Sequence, residues 1–284
     1  MNGKVVNMIS QTMVENANID LDDPLVRAKP TINPYRRALG PVLSRLRWDI
    51  NPESWRSRRL VRSWKDRYSG QRAVILCNGP SLLKVDFSLL KDTFCFGLNK
   101  INLLFETSDF RPSCVVAVNP YVIEQNSSFY NETSLPLFLD SVGARRNLVS
   151  SRGNVAFVHS GPQGFARDCS ISINQGHTVT YVALQLAFHM GLRDVALVGA
   201  DHNFATKGPA NKLVLAGDKD ESHFDPRYFA RGVPWQLPDL FQSEIAYTQA
   251  RDVFAAFGGR VVNATEGGNL EIFERICLKD FLCG

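Results

Sequence analysis

Short polar and ionisable side chains collect at the ends of this chain's apolar runs rather than inside them. The run Arg72-Ala73-Val74-Ile75-Leu76-Cys77 leads straight into Asn78-Gly79-Pro80-Ser81. Gly79 lets the backbone turn tightly and approach a ligand, whereas Pro80 presets φ and removes a donor. Asn78 and Ser81 then offer short polar groups at the carboxyl end of a strand, the edge where open α/β sheets bind ligands. An ordinary strand-to-helix turn is the plainer reading. Two further runs close in the same way, Thr93–Leu98 on Asn99 and Ser113–Val118 on Asn119. One asparagine at a strand end is common turn chemistry. Three at one sheet edge would gather neutral donors and acceptors suited to a sugar, a base or a phosphate ester.

A second group lies further along. Thr178 and Thr180 open an apolar helical run that ends at Gly191, and the strand Asp194–Gly199 follows, closing on Ala200-Asp201-His202. A helix N-terminus rimmed by hydroxyls binds anions through its N–H groups and dipole. The same threonines also suit a simple cap, and Asp201 suits a cap of the next turn. His223 and Arg227 fall within a long polar stretch from Thr206 to Pro238, a length typical of a lid or binding loop. An imidazole there could serve as a general base near neutral pH. The plainer reading is a hydrogen-bonded loop histidine.

The elements that must position these residues read as an α/β architecture. Runs of about five apolar residues suit strands buried on both faces. Between them, 85–90 reads as a short helix, 126–151 as irregular apart from a short strand at 137–139, and 154–159 as a strand. The 161–174 segment reads as a loop, 243–257 as a helix and 260–263 as a strand, with 270–273 beginning the closing segment. Residues 1–34 read as a loosely ordered arm. From Tyr35 to Tyr68 the pattern is helical in two pieces, interrupted at Asn51-Pro52.

At 284 residues, with 44% apolar and 21% charged side chains, the composition is that of a globular chain with ample core. No apolar run approaches a membrane span of about 18 residues. The N-terminus lacks a basic-then-apolar signal pattern, and the six cysteines show no C-x-x-C spacing. A reducing cytoplasm is therefore expected. The net charge of +4 hides an asymmetry: residues 36–72 hold eleven Lys or Arg against three Asp or Glu. Such a block could meet an anionic membrane surface or be a solvated helix. A nucleic-acid partner is not expected, because no known binding motif accompanies the charge. A helix carrying Trp55 and Trp64 among arginines could lie on the inner face of the cell membrane or pack its tryptophan side on the main domain.

Together these residues resemble a family. The strand followed by Asn78-Gly79-Pro80-Ser81-Leu82, the strand-end Asn99 and Val118-Asn119-Pro120 resemble the bacterial sialyltransferases that use CMP-sialic acid. The unit Thr178–Asp201 matches them too. More closely still, the chain is similar to the uncharacterised bacterial family grouped with 6-hydroxymethylpterin diphosphokinase-like proteins. Val179–Ala187, the His223–Phe229 run and Asn263-Ala264-Thr265-x-Gly267-Gly268 carry that similarity. The resemblance covers roughly 72–275.

The resemblance implies a Rossmann-like, mostly parallel sheet with helices on both faces, a variant of the GT-A type. A catalytic domain would span 71–284 with a lid near 205–238, and 1–70 would form an N-terminal arm and basic helical extension. It further implies a metal-independent, inverting glycosyltransferase that moves an acidic sugar (a sialic-acid-like nonulosonate or Kdo) from a CMP-sugar donor to a surface-glycan or glycolipid acceptor. Asn78, Gly79, Pro80, Ser81, Asn99, Asn119, Thr178, Thr180 and His202 would bind the nucleotide. His223, Arg227 and Asp201 would be catalytic, with Arg227 and the Thr178 helix end stabilising the departing phosphate. The chain departs from the sialyltransferase pattern at Val179, where a hydroxyl is missing, and at His202-Asn203-Phe204, where those enzymes carry tyrosines. Counting four positions beyond the histidine of Ser222-His223-Phe224 lands on Arg227 rather than on a histidine. Two rival readings stand beside it. One is Mg²⁺–ATP-dependent pyrophosphoryl transfer to a pterin alcohol, with Asp201 and Asp218 or Asp220 on the metal. The other is a non-catalytic nucleotide-binding module of a glycan-assembly complex. The sequence is silent on whether the chain forms a homo-oligomer.

Overall fold

Eight strands line up in one sheet, and every hydrogen-bonded neighbour pair in it is parallel. The computed structural model describes residues 33–161, 164–203, 208–230 and 232–284. The strands are β1 (Arg72–Leu76), β2 (Phe94–Leu98), β3 (Cys114–Ala117), β4 (Leu137–Asp140), β5 (Val155–Val158), β6 (Asp194–Val198), β9 (Arg260–Asn263) and β10 (Glu274–Arg275). A separate antiparallel ribbon pairs β7 (Leu213–Leu215) with β8 (Pro234–Gln236). Strand order in the large sheet is β10-β9-β6-β1-β2-β3-β4-β5. The chain thus starts in the middle, builds outward to β5, then returns to place β6 on the other side of β1. The gap between the carboxyl ends of β1 and β6 is the topological switch point of this Rossmann-like sheet, where such folds leave a crevice.

Both sheet faces are covered, which is why the strands read as continuous apolar runs. Ala73 and Ile75 point into one core with α6 (Val179–His189) and α7 (Leu240–Ala256). Val74 and Leu76 point into the other, with Leu82, Ile123 and Phe281. All residues of α6 beyond Val179 are buried, so this helix carries no polar face.

Three stretches differ from the sequence expectation. The 85–90 helix is instead two 3-10 turns, Pro80–Lys84 and Phe87–Leu90, because Val85 is extended and the Asp86 carboxylate caps Ser88 N–H. The 126–151 region is more regular than expected. Short helices α3 (Pro120–Gln125), α4 (Ser127–Glu132) and α5 (Val142–Arg145) frame it, each too short to register as a helical period. The 205–238 stretch carries the β7–β8 ribbon; residues 204–207 and 231 lie outside the described residues, as does the arm at 1–32.

Two helices precede the sheet, α1 (Pro34–Asp49) and α2 (Pro52–Arg62), separated where Asn51 caps α2 and Pro52 starts it. Residues 45–284 form one compact unit, and the described residues before it, 33–44, fall outside it. Within the unit, α2 seals the open edge of β5. Phe157 N–H donates to Ser57 Oγ at 2.9 Å, and Arg56 donates to the Val155 carbonyl at 2.6 Å. An exposed parallel edge would otherwise present unpaired backbone groups. Trp64 packs edge-on against Phe94 and Phe138, whereas Trp55 is exposed. Cys77, Cys95, Cys114 and Cys169 are buried free thiols, and Cys277 and Cys283 are exposed and free. No helix among the described residues is long and apolar enough to cross a membrane.

Candidate functional site

The switch point is held open by two glycines and one carboxylate. Gly79 N–H donates to the Gly199 carbonyl at 2.9 Å, bringing the loops after β1 and β6 into contact. A Cβ on Gly79 would lie 2.0 Å from Asp201 Oδ2, and one on Gly199, whose φ is +70°, would lie 2.6 Å from the Cys77 carbonyl. Asp201 Oδ2 accepts from Ser81 Oγ at 2.6 Å and Ser81 N–H at 3.2 Å. Asp201 therefore shapes the Asn-Gly-Pro-Ser loop. The Asn263–Gly268 run buttresses the same point from behind. Ala200 N–H donates to Thr265 Oγ1, and Asn269 N–H donates to the Asp201 carbonyl.

A cavity of about 1320 Å³ opens at these strand ends. Asn78, Gly79, Asn99, Asn119, Thr178, Thr180, Asp201, His202 and His223 all line it, so most of the expected site residues come together. Asn78 Oδ1 and Asn99 Oδ1 are buried without a hydrogen-bond partner among the described residues. Buried acceptors of this kind are costly unless something satisfies them. Asn119 differs, because its Oδ1 caps α3 by accepting from Tyr121 N–H at 2.9 Å. Thr178 caps α6, accepting from Thr180 N–H at 3.3 Å, and its hydroxyl lies 3.2 Å from the Tyr247 hydroxyl. The capping and cavity-lining readings of Thr178 thus hold together.

The opposite wall comes from the segment after the ribbon's first strand. Phe224 N–H donates to the Asn78 carbonyl at 2.9 Å, and Lys100 Nζ donates to the Tyr228 carbonyl at 2.5 Å. These bonds fasten the 220–229 turn onto the ends of β1 and β2. His223 Nδ1 lies 2.8 Å from Asp220 Oδ2, and its ring stacks on Tyr228 with centroids 4.0 Å apart. A carboxylate only accepts, so Nδ1 donates to Asp220. Burial pushes the Asp220 carboxyl up, but hydrogen bonds from His223, Ser222 and Phe229 outweigh it and hold its pKa below the usual value. Burial lowers the Lys100 pKa to about 8, with Asp220 opposing.

Two other histidines reach the cavity with acidic partners. His202 Nε2 lies 2.9 Å from Glu244 Oε1, and His177 Nδ1 lies 3.6 Å from Asp239 Oδ2. At the far end, Asp140 Oδ2 accepts from Ser160 Oγ at 2.6 Å, and Gln175 Nε2 donates to the same Ser160 oxygen at 2.8 Å.

Arg227 is not brought to this cavity. Its guanidinium is 54% exposed and paired with Asp225 at 2.7 Å and Glu106 at 2.8 Å. Pro80 and Ser81 sit behind the lining, building the turn. No Lys or Arg lines the cavity among the described residues, and no three His, Cys, Asp or Glu side chains among them gather closely enough to hold a metal. Asp220 is the group that sequence reasoning placed differently, as a metal ligand rather than a histidine partner. The spacing Asp220-x-x-His223 was its only signal. Lys100 and His177 carried none.

The model of the 6-hydroxymethylpterin diphosphokinase MptE-like family matches residues 50–207, more than half of the chain. The match takes in the asparagine edge, α6 and the Asp201 turn, and stops before the His223 segment. Among solved structures, the MAf glycosyltransferase from Magnetospirillum magneticum AMB-1 is similar over 80% of this chain at 16% identity and a TM-score of 0.46. The similarity spans 39% of that chain's length. No curated protein matches the chain.

Proposed function

Within the 6-hydroxymethylpterin diphosphokinase MptE-like family, to which this chain belongs, we propose an inverting glycosyltransferase that moves an acidic sugar from a CMP donor to a glycan hydroxyl. The observation that carries the reading is one shared cavity: it holds the asparagine edge, the α6 N-terminus and the His223–Asp220 pair. Asn78 and Asn99 offer unsatisfied acceptors to the nucleotide. The α6 end favours the phosphate, whose charge grows as the sugar departs. His223 Nε2 takes the acceptor hydroxyl's proton, with Asp220 orienting the ring and stabilising the imidazolium. Arg227, paired and off the cavity, has no part in this reading.

The second reading is Mg²⁺–ATP-dependent transfer of a pyrophosphoryl group to a pterin alcohol, which the family's description implies and the same base could serve. The wall's charge favours the first. A CMP-activated acidic sugar carries one phosphodiester and one carboxylate charge, whereas ATP concentrates several on its triphosphate, and no Lys or Arg among the described lining residues would meet them.

A thermal-shift panel of CMP, CDP, UDP, GDP and ATP, each with and without Mg²⁺, tests this. A ligand that binds only the folded state raises Tm. Stabilisation by CMP without metal is the expected result. Stabilisation by Mg²⁺–ATP alone would overturn the glycosyltransferase reading.

A further inference from the structure

The helix α1 carries an apolar stripe that is exposed among the described residues. Tyr35, Leu39, Val42, Leu43 and Leu46, with Ile50 just beyond the helix, are 43% to 84% exposed. At about 100° of turn per residue these six positions fall within a sector of roughly 100°. Trp48 projects from the opposite side of the same helix, where it is buried and stacks on His159. Trp48 thus anchors the last turn of the helix by the side away from the stripe.

Four arginines, Arg36, Arg37, Arg45 and Arg47, stand on this helix against one carboxylate, Asp49. The helix has no acidic residue before Asp49, which is paired with Arg45 and Arg58. Arg47 is exposed at the border of the stripe. Over residues 36–72, basic side chains outnumber acidic ones by eleven to three. An apolar stripe with a basic flank is the pattern of a helix lying in the plane of an anionic lipid surface. Leu39, Leu43 and Leu46 all fall in that one sector.

We infer that α1 docks this protein on anionic lipid, with the stripe entering the headgroup–acyl boundary and the arginines meeting lipid phosphates. The surface differs from the one the tryptophans marked in the sequence. Trp64 is partly buried against the core, and the indole N–H of Trp55 donates to the Asp49 carbonyl at 2.8 Å. The inference is independent of which group the cavity transfers.

Co-sedimentation of the full chain with vesicles tests it, comparing phosphatidylcholine alone with a mixture of phosphatidylcholine and phosphatidylglycerol. The expected result is binding to the anionic vesicles that weakens as salt is raised, because exposed charges are screened. The double variant Leu39→Glu with Leu46→Glu should lose binding by about tenfold or more, since its apolar contact is removed. Arg47→Glu should weaken binding to the anionic vesicles with an unchanged melting temperature. Both changes fall on exposed positions, and the melting temperature checks that the fold is kept. Failure of the native chain to bind either vesicle overturns the inference. So does light scattering that shows a dimer which the leucine variant converts to monomer, because a second copy would then cover the stripe.

Discussion

Asp220 Oδ2 and His223 Nδ1 lie 2.8 Å apart in a turn whose backbone is fastened to Asn78 and Lys100. Both side chains are largely buried, at 6% and 12% exposure. The pair is thus held by the same residues that end β1 and follow β2, so the position of His223 depends on the asparagine edge.

His223→Ala is expected to lower kcat by about 10²- to 10⁴-fold, the usual worth of a general base. CMP affinity should stay within twofold or so, because the proposed reading holds the nucleotide on the asparagine edge and the α6 N-terminus rather than on the imidazole. Asp220→Asn should lower kcat by about tenfold or more through loss of ring orientation. Arg227→Ala should leave kcat nearly unchanged. Steady-state kinetics with a CMP-sugar donor checks all three, and a large kcat loss in Arg227→Ala would contradict the assignment.

Asn78→Ala separates binding from stability. Its Oδ1 has no partner among the described residues, so its removal should change folding stability by less than about 1 kcal/mol. Nucleotide affinity should fall by about tenfold if that atom meets the ligand. Calorimetric titration with CMP, paired with urea unfolding, measures both.

Gly79→Ala should destabilise the fold by about 2–3 kcal/mol, since the new methyl collides with both the Asp201 carboxylate and a carbonyl. Gly153→Ala, where a Cβ meets nothing within 4 Å, is the control. Urea midpoints at constant slope give the comparison.

Lys100 should make stability rise with pH. Its native pKa is about 8 against an ordinary value of 10.5, so between these values the unfolded chain binds more protons and folding gains as pH increases. Below pH 8 both states are protonated and the burial cost is fully present. Lys100→Met should flatten the rise in unfolding free energy between pH 8 and pH 10.

Much of this architecture was legible in the chain itself. Apolar runs such as Ala73–Leu76 suit doubly buried strands, and the breaks at Asn78, Asn99 and Asn119 mark their ends. Thr178 announced the start of α6 because a capping hydroxyl precedes an apolar run. Local chemistry sets such features, so local sequence reveals them. The short helices between β3 and β5 escaped because each spans too few turns to show a period.

The sequence by itself determined the strands, their ends and the types of group gathered there. Tertiary structure decided which of those groups meet. Return of the chain to the far side of β1 put Asp201 on Ser81, so the carboxylate that lines the cavity also braces the loop. Docking of the 220–229 turn sent His223 to the cavity and left Arg227, four residues on, in solvent with Asp225 and Glu106. Spacing along a loop carries no period from which direction can be read, so only long-range packing could sort the two. The same reason moved the exposed apolar face from the tryptophans to α1: a helix shows its stripe in sequence, but which stripe is covered depends on what the rest of the chain brings against it.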